Sequence, residues 1–202
     1  MEFDKVGVIG RFKPPHKGVE IMLKTLCEKA NEVIIGIGSS NKYNYRNPFT
    51  VKESEEMINI LLFDYKNYRI INIPDFAQLP KYRNGKRWRN YLVGKFGNLD
   101  CFISANPYVV ELLRGYYKII HPADLIPVED QIRVKGTQIR IELAKDGNWK
   151  PLVSENIANY LEKNNLVERF QKEFGLETLA SFMDVNFMCE TAAKEKRYSQ
   201  EV

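Results

Sequence analysis

Short apolar runs alternate along most of the chain with stretches whose apolar residues recur at helical spacing. Five runs read as strands, at 5–10, 32–38, 68–73, 99–104 and 117–121. They are brief and rich in β-branched residues, the habit of strands covered on both faces. Between the first two, 18–30 carries Ile21, Met22, Leu23, Leu26, Cys27 and Ala30 as a helical stripe. The segment 51–62 repeats the pattern with Met57, Ile58, Leu61 and Leu62. A short helix is expected at 107–114, with Asn106 as its N-cap. Strand–helix–strand repetition with right-handed crossovers predicts an α/β fold, a Rossmann-like parallel sheet with helices on both faces. Ligands of such sheets bind at the carboxyl ends of the strands, near the switch in strand order.

The second half changes character. A basic patch built around an aromatic, 81–89, lies in a loop–helix segment, and an irregular stretch follows Pro122. Thr137 is the expected N-cap of a helix running to about Asp146 and closed by Gly147. Pro151 and Ser154 open another helix, carried by Ile157, Tyr160 and Leu161, and Leu166, Val167, Phe170 and Phe174 mark a third. The expected organisation is one domain over 1–180, with 147–180 as its helical C-terminal extension, and a loosely attached tail over 181–202 that includes the charged stretch 194–197. Internal repeats and low-complexity linkers are absent from the sequence.

The chemistry concentrates directly after the first strand. Residues 10–18 read Gly10-Arg11-Phe12-Lys13-Pro14-Pro15-His16-Lys17-Gly18. Two glycines allow close backbone approach to an anion, while Arg11, Lys13 and Lys17 add charge. A helix starting near Lys17 would aim its free N–H groups and the positive end of its dipole at the same point. His16, one of two histidines, is placed to donate to a phosphate oxygen.

Composition narrows the class only modestly. The 202 residues suffice for one α/β domain with a substantial core. A net charge of +4 suits a polyanionic small molecule as well as nucleic acid. Cys27, Cys101 and Cys189 lack metal spacing, and the first two sit in apolar segments, so buried thiols in a reduced, cytoplasmic setting are expected. No signal-peptide pattern opens the chain, and no apolar stretch reaches the roughly 18 residues of a membrane span.

Several dispersed segments, in order, resemble the nucleotidylyltransferase superfamily, and within it the archaeal-type nicotinamide mononucleotide adenylyltransferases. The first signature is similar to residues 10–18. Gly36-Ile37-Gly38-Ser39-Ser40 and Arg46-Asn47-Pro48-Phe49-Thr50 resemble the loop after the second strand, and Ser104-Ala105-Asn106-Pro107 the turn after the fourth. Gly136-Thr137-Gln138-Ile139-Arg140 resembles the second signature, and Trp88 falls where the family stacks an aromatic on the nicotinamide ring. The resemblance spans about Val6 to Phe174. It implies transfer of AMP, or another nucleoside monophosphate, from a triphosphate to a phosphate, with Mg²⁺ accompanying ATP and pyrophosphate leaving. It further implies catalytic roles for His16, Lys17 and Arg140, and nucleotide contacts from Gly10, Arg11, Phe12, Gly18, Gly136, Thr137 and Ile139. Gly38, Ser39, Arg46, Trp88 and Asn106 would hold the acceptor. No residue is assigned to a metal.

The chain departs from that pattern at three places. Val19 stands where the first signature ends in a second histidine. Glu53-Ser54 replaces an acid followed by arginine, and Val134-Lys135 precedes Gly136 in place of small hydroxyl residues. The leading expectation is AMP transfer from ATP to nicotinamide mononucleotide, giving NAD and pyrophosphate. The alternatives are transfer to a different phosphorylated acceptor, or a non-catalytic ATP- or NAD-binding regulatory protein. The expected partners are small molecules, without nucleic acid or membrane, in a homo-oligomer. Asp75, Asp100 and His121 read as turn or structural residues, Asp75 alone being placed to reach substrate. No Walker lysine, zinc spacing or Ser–His–Asp order is present.

Overall fold

The computed structural model describes residues 1–82 and 85–183. Five strands, β1 (Phe3–Gly10), β2 (Ala30–Gly38), β3 (Tyr68–Ile73), β4 (Cys101–Ile103) and β5 (Ile119–Ile120), form one parallel sheet in the order β3-β2-β1-β4-β5. β1 is therefore the switch point. The chain steps outward from it to β2 and β3, then returns to its other side for β4 and β5. Crevices open at such a switch beyond the carboxyl ends of the strands.

Helices α1 (Lys17–Lys29), α2 (Val51–Leu61), α3 (Lys86–Phe96), α4 (Pro107–Leu113), α5 (Gly136–Ala144), α6 (Glu155–Lys163) and α7 (Leu166–Phe170) cover both faces. One face carries the larger core. Leu23 and Leu26 of α1, Met57 and Ile58 of α2, Ile139 and Leu143 of α5 and Ile157, Leu161, Leu166 and Phe170 of the C-terminal helices pack on Val6, Val8, Val33 and Ile35. Leu92, Phe96, Val109 and Leu113 of α3 and α4 cover Ile34, Ile73 and Phe102 on the other. Each fully buried side chain of this size contributes roughly 1.5–3 kcal/mol.

Several boundaries differ from the sequence pattern. The fourth and fifth strands are shorter than the runs at 99–104 and 117–121, because polar side chains turn the flanks. Asp100 accepts from the backbone N–H groups of Asp4 and Lys5 at 2.6 and 3.0 Å, and Ser104 Oγ accepts from Asn106 N at 3.2 Å. Asn106 caps α4 as expected, its Oδ1 accepting from Tyr108 N at 3.0 Å. Thr137 does not cap α5. The cap lies two residues earlier, at Lys135, where Gln138 Oε1 accepts from Lys135 N at 2.7 Å, and the Thr137 hydroxyl is engaged by Arg140. The third C-terminal helix runs past Phe170 through a π-helical turn, Gln171–Gly175, and remains helical to 183. Ser181 thus belongs to the fold and not to a tail, donating from Oγ to Tyr45 Oη at 3.3 Å. The rest of the expected tail, with Cys189 and 194–197, lies outside the described residues, as do Arg83 and Asn84 of the basic patch. Cys27 and Cys101 are buried, and burial pushes their thiols up to about 12 and about 11. Among the described residues no helix is long and apolar enough to cross a membrane.

Candidate active site

The turn after β1 is shaped by its own residues. Phe12 adopts φ 54°, and a Cβ on Gly10 would lie 2.7 Å from its ring, so a side chain at position 10 would collide with the turn. His16 is the N-cap of α1. Its Nδ1 accepts from Val19 N at 3.2 Å, which leaves the proton on Nε2. Burial lowers the imidazole to about 4, so near neutral pH His16 is an uncharged donor with a free Nε2–H. A Cβ on Gly18 would come 2.6 Å from the Ile132 carbonyl oxygen, so glycine there admits the backbone that roofs α1.

Two cavities open at the carboxyl end of β1. One, of about 570 Å³, is lined by Phe12, His16, Gly18, Val19 and Met22 and closed by the 121–133 segment. The other, of about 540 Å³, is lined by Arg11, Gly38, Ser39, Asp75 and the aromatics Phe76, Tyr82, Trp88 and Tyr108. Ile9, Gly10 and Asn106 line both. The Trp88 and Tyr108 rings stand 6.3 Å apart at 32°.

The charge around this junction is one-sided. Arg140 is buried, and its Nη1 and Nη2 donate to Lys13 O at 3.4 Å and Thr137 Oγ1 at 3.1 Å. Burial, then the charges of Arg11 and Arg46, lowers Arg140 to about 10. Arg11 is likewise lowered by burial and by Arg46, with Asp75 opposing. None of the three arginines has an ion-pair partner among the described residues. Cations gathered with only Asp75 opposing them raise each other's energy, which a bound anion would relieve, and the planar guanidinium fork suits phosphate. Lys13 is 2% exposed and donates from Nζ to the Ser39 and Lys42 carbonyls at 3.2 and 3.4 Å. Burial, with Arg11 adding to it, lowers its amine to about 8.

Of the residues singled out in the sequence, Gly10, Arg11, Phe12, His16, Gly18, Gly38, Ser39, Trp88 and Asn106 line the two cavities. Arg140 and Arg46 join them through their charges, and Gly136 starts α5 beside the Arg140 guanidinium. Lys17 opens α1 but lines neither cavity. Ile139 is fully buried in the core and lines neither cavity. Glu53 is occupied elsewhere. It completes a capping box with Thr50 and receives Arg169 Nη1 and Nη2 at 2.6 and 2.8 Å. Phe76, Tyr82, Tyr108 and Gln131 were not singled out, because nothing local distinguishes them from ordinary loop or helix residues before the chain is folded. Among the described residues no cluster of three or more His, Cys, Asp or Glu could hold a metal. A divalent ion carried by a triphosphate needs few protein ligands, so this donor set suits it only as part of the nucleotide.

Two cavities with a common wall thus open at the switch point of an α/β sheet, next to arginines that have no ion-pair partner among the described residues. The chain belongs to the cytidylyltransferase-like family, which it matches over residues 8–142. It is 30% identical over 171 residues to the nicotinamide-nucleotide adenylyltransferase of Thermococcus sibiricus, covering 81% of this chain and 86% of that protein. The enzyme of the same name from Pyrococcus furiosus is 29% identical over 171 residues, covering 81% and 85%. Among solved structures, a bifunctional NMN adenylyltransferase/ADP ribose pyrophosphatase from Francisella tularensis, complexed with AMP and a manganese ion, shares the fold with a TM-score of 0.66 at 18% identity. The alignment covers 95% of this chain and 56% of that longer one.

Proposed function

We propose that the chain is an adenylyltransferase that moves AMP from ATP to nicotinamide mononucleotide, forming NAD and pyrophosphate. The observation that carries this reading is the pair of cavities meeting at Ile9, Gly10 and Asn106 beside Arg11, Arg46 and Arg140. The His16 cavity takes ATP, and the aromatic cavity takes the acceptor, its base against Trp88. An acceptor phosphate oxygen then faces the α-phosphorus across the shared wall. It attacks there, and the bond from that phosphorus to the bridging oxygen of pyrophosphate breaks. The reaction needs alignment and charge neutralisation, with little covalent help. His16 Nε2–H donates to the triphosphate, and Arg140 with the α5 N-terminus takes the departing pyrophosphate. Arg11 and Arg46 neutralise the phosphates between them. A Mg²⁺ ion held by the nucleotide's own phosphate oxygens would neutralise part of their charge, while the arginines of the chain hold the phosphates themselves. Residues 1–180 act as one unit, since 147–180 supplies part of the main core.

The support is the name shared by the archaeal relatives and the order of the two signatures along the sheet. The test is direct. Purified protein with ATP, Mg²⁺ and nicotinamide mononucleotide should yield NAD and pyrophosphate in equal amounts. Tight ATP binding without NAD formation would reject this acceptor. Val19, which lines the ATP cavity where a second donor is expected, favours one further reading, in which the same fold binds nucleotide and serves another phosphorylated acceptor or a regulatory role.

A further inference from the structure

The ATP cavity is roofed by the segment that follows β5, and one side chain there is held in an unusual way. Both protons of the Gln131 amide are used, Nε2 donating to the carbonyls of Ala123 and Ile126 at 3.0 Å each. The amide therefore has one orientation. Turning it over would bring Oε1 against two carbonyl oxygens and forfeit both bonds. Oε1 accepts from no group among the described residues, and Gln131 lines the cavity with Val19, Met22, Ile126 and Ile132. The neighbouring His121 is also committed, its Nδ1 accepting from Ala123 N at 3.2 Å. Among the polar side chains of this cavity, which include His16, Asp130 and Arg133, Gln131 is thus an amide restricted to accepting, set beside the apolar walls of Val19, Met22, Ile126 and Ile132.

We propose that Gln131 reads the base of the donor nucleotide, its Oε1 accepting a hydrogen bond from an exocyclic amino group and selecting adenine over bases that carry a carbonyl at that position. The inference rests on the reading that this cavity takes the nucleoside triphosphate, and it adds a determinant of base identity. A base with a carbonyl there would set two acceptors against each other in a poorly solvated place, and such mismatches discriminate more strongly than size does. Cytosine presents the same amino group on a smaller ring. It therefore satisfies Gln131 while leaving apolar wall uncovered.

The experiment is calorimetric binding of ATP, purine riboside triphosphate, which lacks the amino group, ITP, which replaces it with a carbonyl, and CTP. Each is titrated into the intact chain and into Gln131→Met. ATP should bind the unaltered protein roughly tenfold more tightly than purine riboside triphosphate, and ITP should bind more weakly than either. In Gln131→Met the preference for ATP over purine riboside triphosphate should collapse to near one, with purine riboside triphosphate affinity within about twofold of its original value. A purely structural role for Gln131 would weaken both nucleotides alike and leave their ratio intact, which overturns the proposal. Equal binding of the two by the unaltered protein also overturns it, whether or not the variant folds. ATP binding with the expected ladder but without NAD formation counts against the proposed acceptor alone. A flat ladder in a chain that makes NAD counts against Gln131 alone, and failure to bind any nucleotide rejects both.

Discussion

The turn after β1 and the loop after β2 reach the same pair of cavities from neighbouring strands, but they are held by different means. The turn closes on itself: Phe12 covers Gly10, and His16 caps the helix it begins. The loop, residues 39–50, is fixed largely from outside. Lys13 grips its first carbonyls, Asn41 exchanges bonds with the backbone of Asp75, and Tyr43 donates to Glu173 while its ring meets Phe174 edge-on. Arg169 Nη2 donates to Pro48 O at 3.3 Å, and Tyr45 Oη accepts from both Ser181 Oγ and Arg46 Nε, the latter at 2.9 Å. One side of the site is thus built largely by nine consecutive residues, and the other is held by Lys13, by Asp75 and by C-terminal residues more than a hundred positions away. The first should tolerate changes elsewhere in the chain, and the second should not.

The strongest way to test this division is at Arg140, where the two sides share a charge. Arg140→Met should lower kcat/KM by about a hundredfold or more, because a fixed phosphate donor is lost at the departing group. Removing a buried cation beside Arg11 and Arg46 also relieves repulsion in the free protein. The melting temperature should therefore hold or rise while activity collapses. A matched fall in both would make Arg140 a structural residue. Arg140→Lys should weaken ATP more than AMP, since it keeps the charge and loses the fork.

A substitution confined to the self-built turn comes next. Val19→His should raise the rate of pyrophosphate release about tenfold or more, because it returns a donor to the ATP cavity that Val19 lines. Val19 is only half-buried against the core, so the stability change should be small. An unchanged rate in an active protein would mean that another group already supplies the charge.

The externally held loop is probed at Arg169. Arg169→Met breaks the paired bonds to Glu53 and leaves that carboxylate partly buried with only its Thr50 contacts. A loss of about 1–3 kcal/mol in stability is expected from denaturant unfolding. Acceptor KM should rise several-fold while ATP affinity stays within about twofold, because Pro48 and Arg46 belong to the acceptor side. Equal effects on both substrates would erase the distinction between the two sides.

The same division governs what was legible in the sequence. The turn at 10–18 could be read from its residues because its geometry is local, and the sheet could be read because buried strands leave continuous apolar runs. α3 was recognised only as part of a basic patch. Its inner face, Trp88, Tyr91, Leu92 and Phe96, is spaced correctly, but lysines and arginines crowd the same window and mask the stripe. Lys13 reads as one more surface cation, although its burial depends on carbonyls that β2 brings to it. Arg169, Ser181 and Gln131 carry no motif at all. Their roles come from what the fold sets against them, and Glu53 shows the converse, an acid whose arginine lies in α7 and not at the next position.

The smallest expected effects lie in the pH dependence of stability, where each side of the site has its own window. His16 is lowered to about 4 from 6.5, so between those values the unfolded chain binds a proton that the folded chain refuses. Stability should therefore fall as pH drops from 6.5 towards 4.5. Glu32 and Glu53 are both held below their ordinary 4.5, so their contribution is lost only at lower pH still. His16→Asn, which keeps a capping side chain, should flatten that upper segment and leave the rest. Lys13 is lowered to about 8 from 10.5, and the sign is the same: above pH 8 the folded form has shed a proton that the unfolded form retains, so stability should rise with pH. The rise should show between about 8 and 9, before Cys27 and Cys101 oppose it. Their thiols ionise from about 9 once unfolded but stay protonated in the fold. Over the same interval acceptor binding should weaken, as the anion loses a nearby positive charge. In Lys13→Met both trends should vanish, read from urea midpoints and acceptor titrations at pH 7.5, 8.5 and 9. If the alkaline trends persist in that variant, a group other than Lys13 causes them, and the charge of Lys13 does not govern the hold on the Ser39 and Lys42 carbonyls.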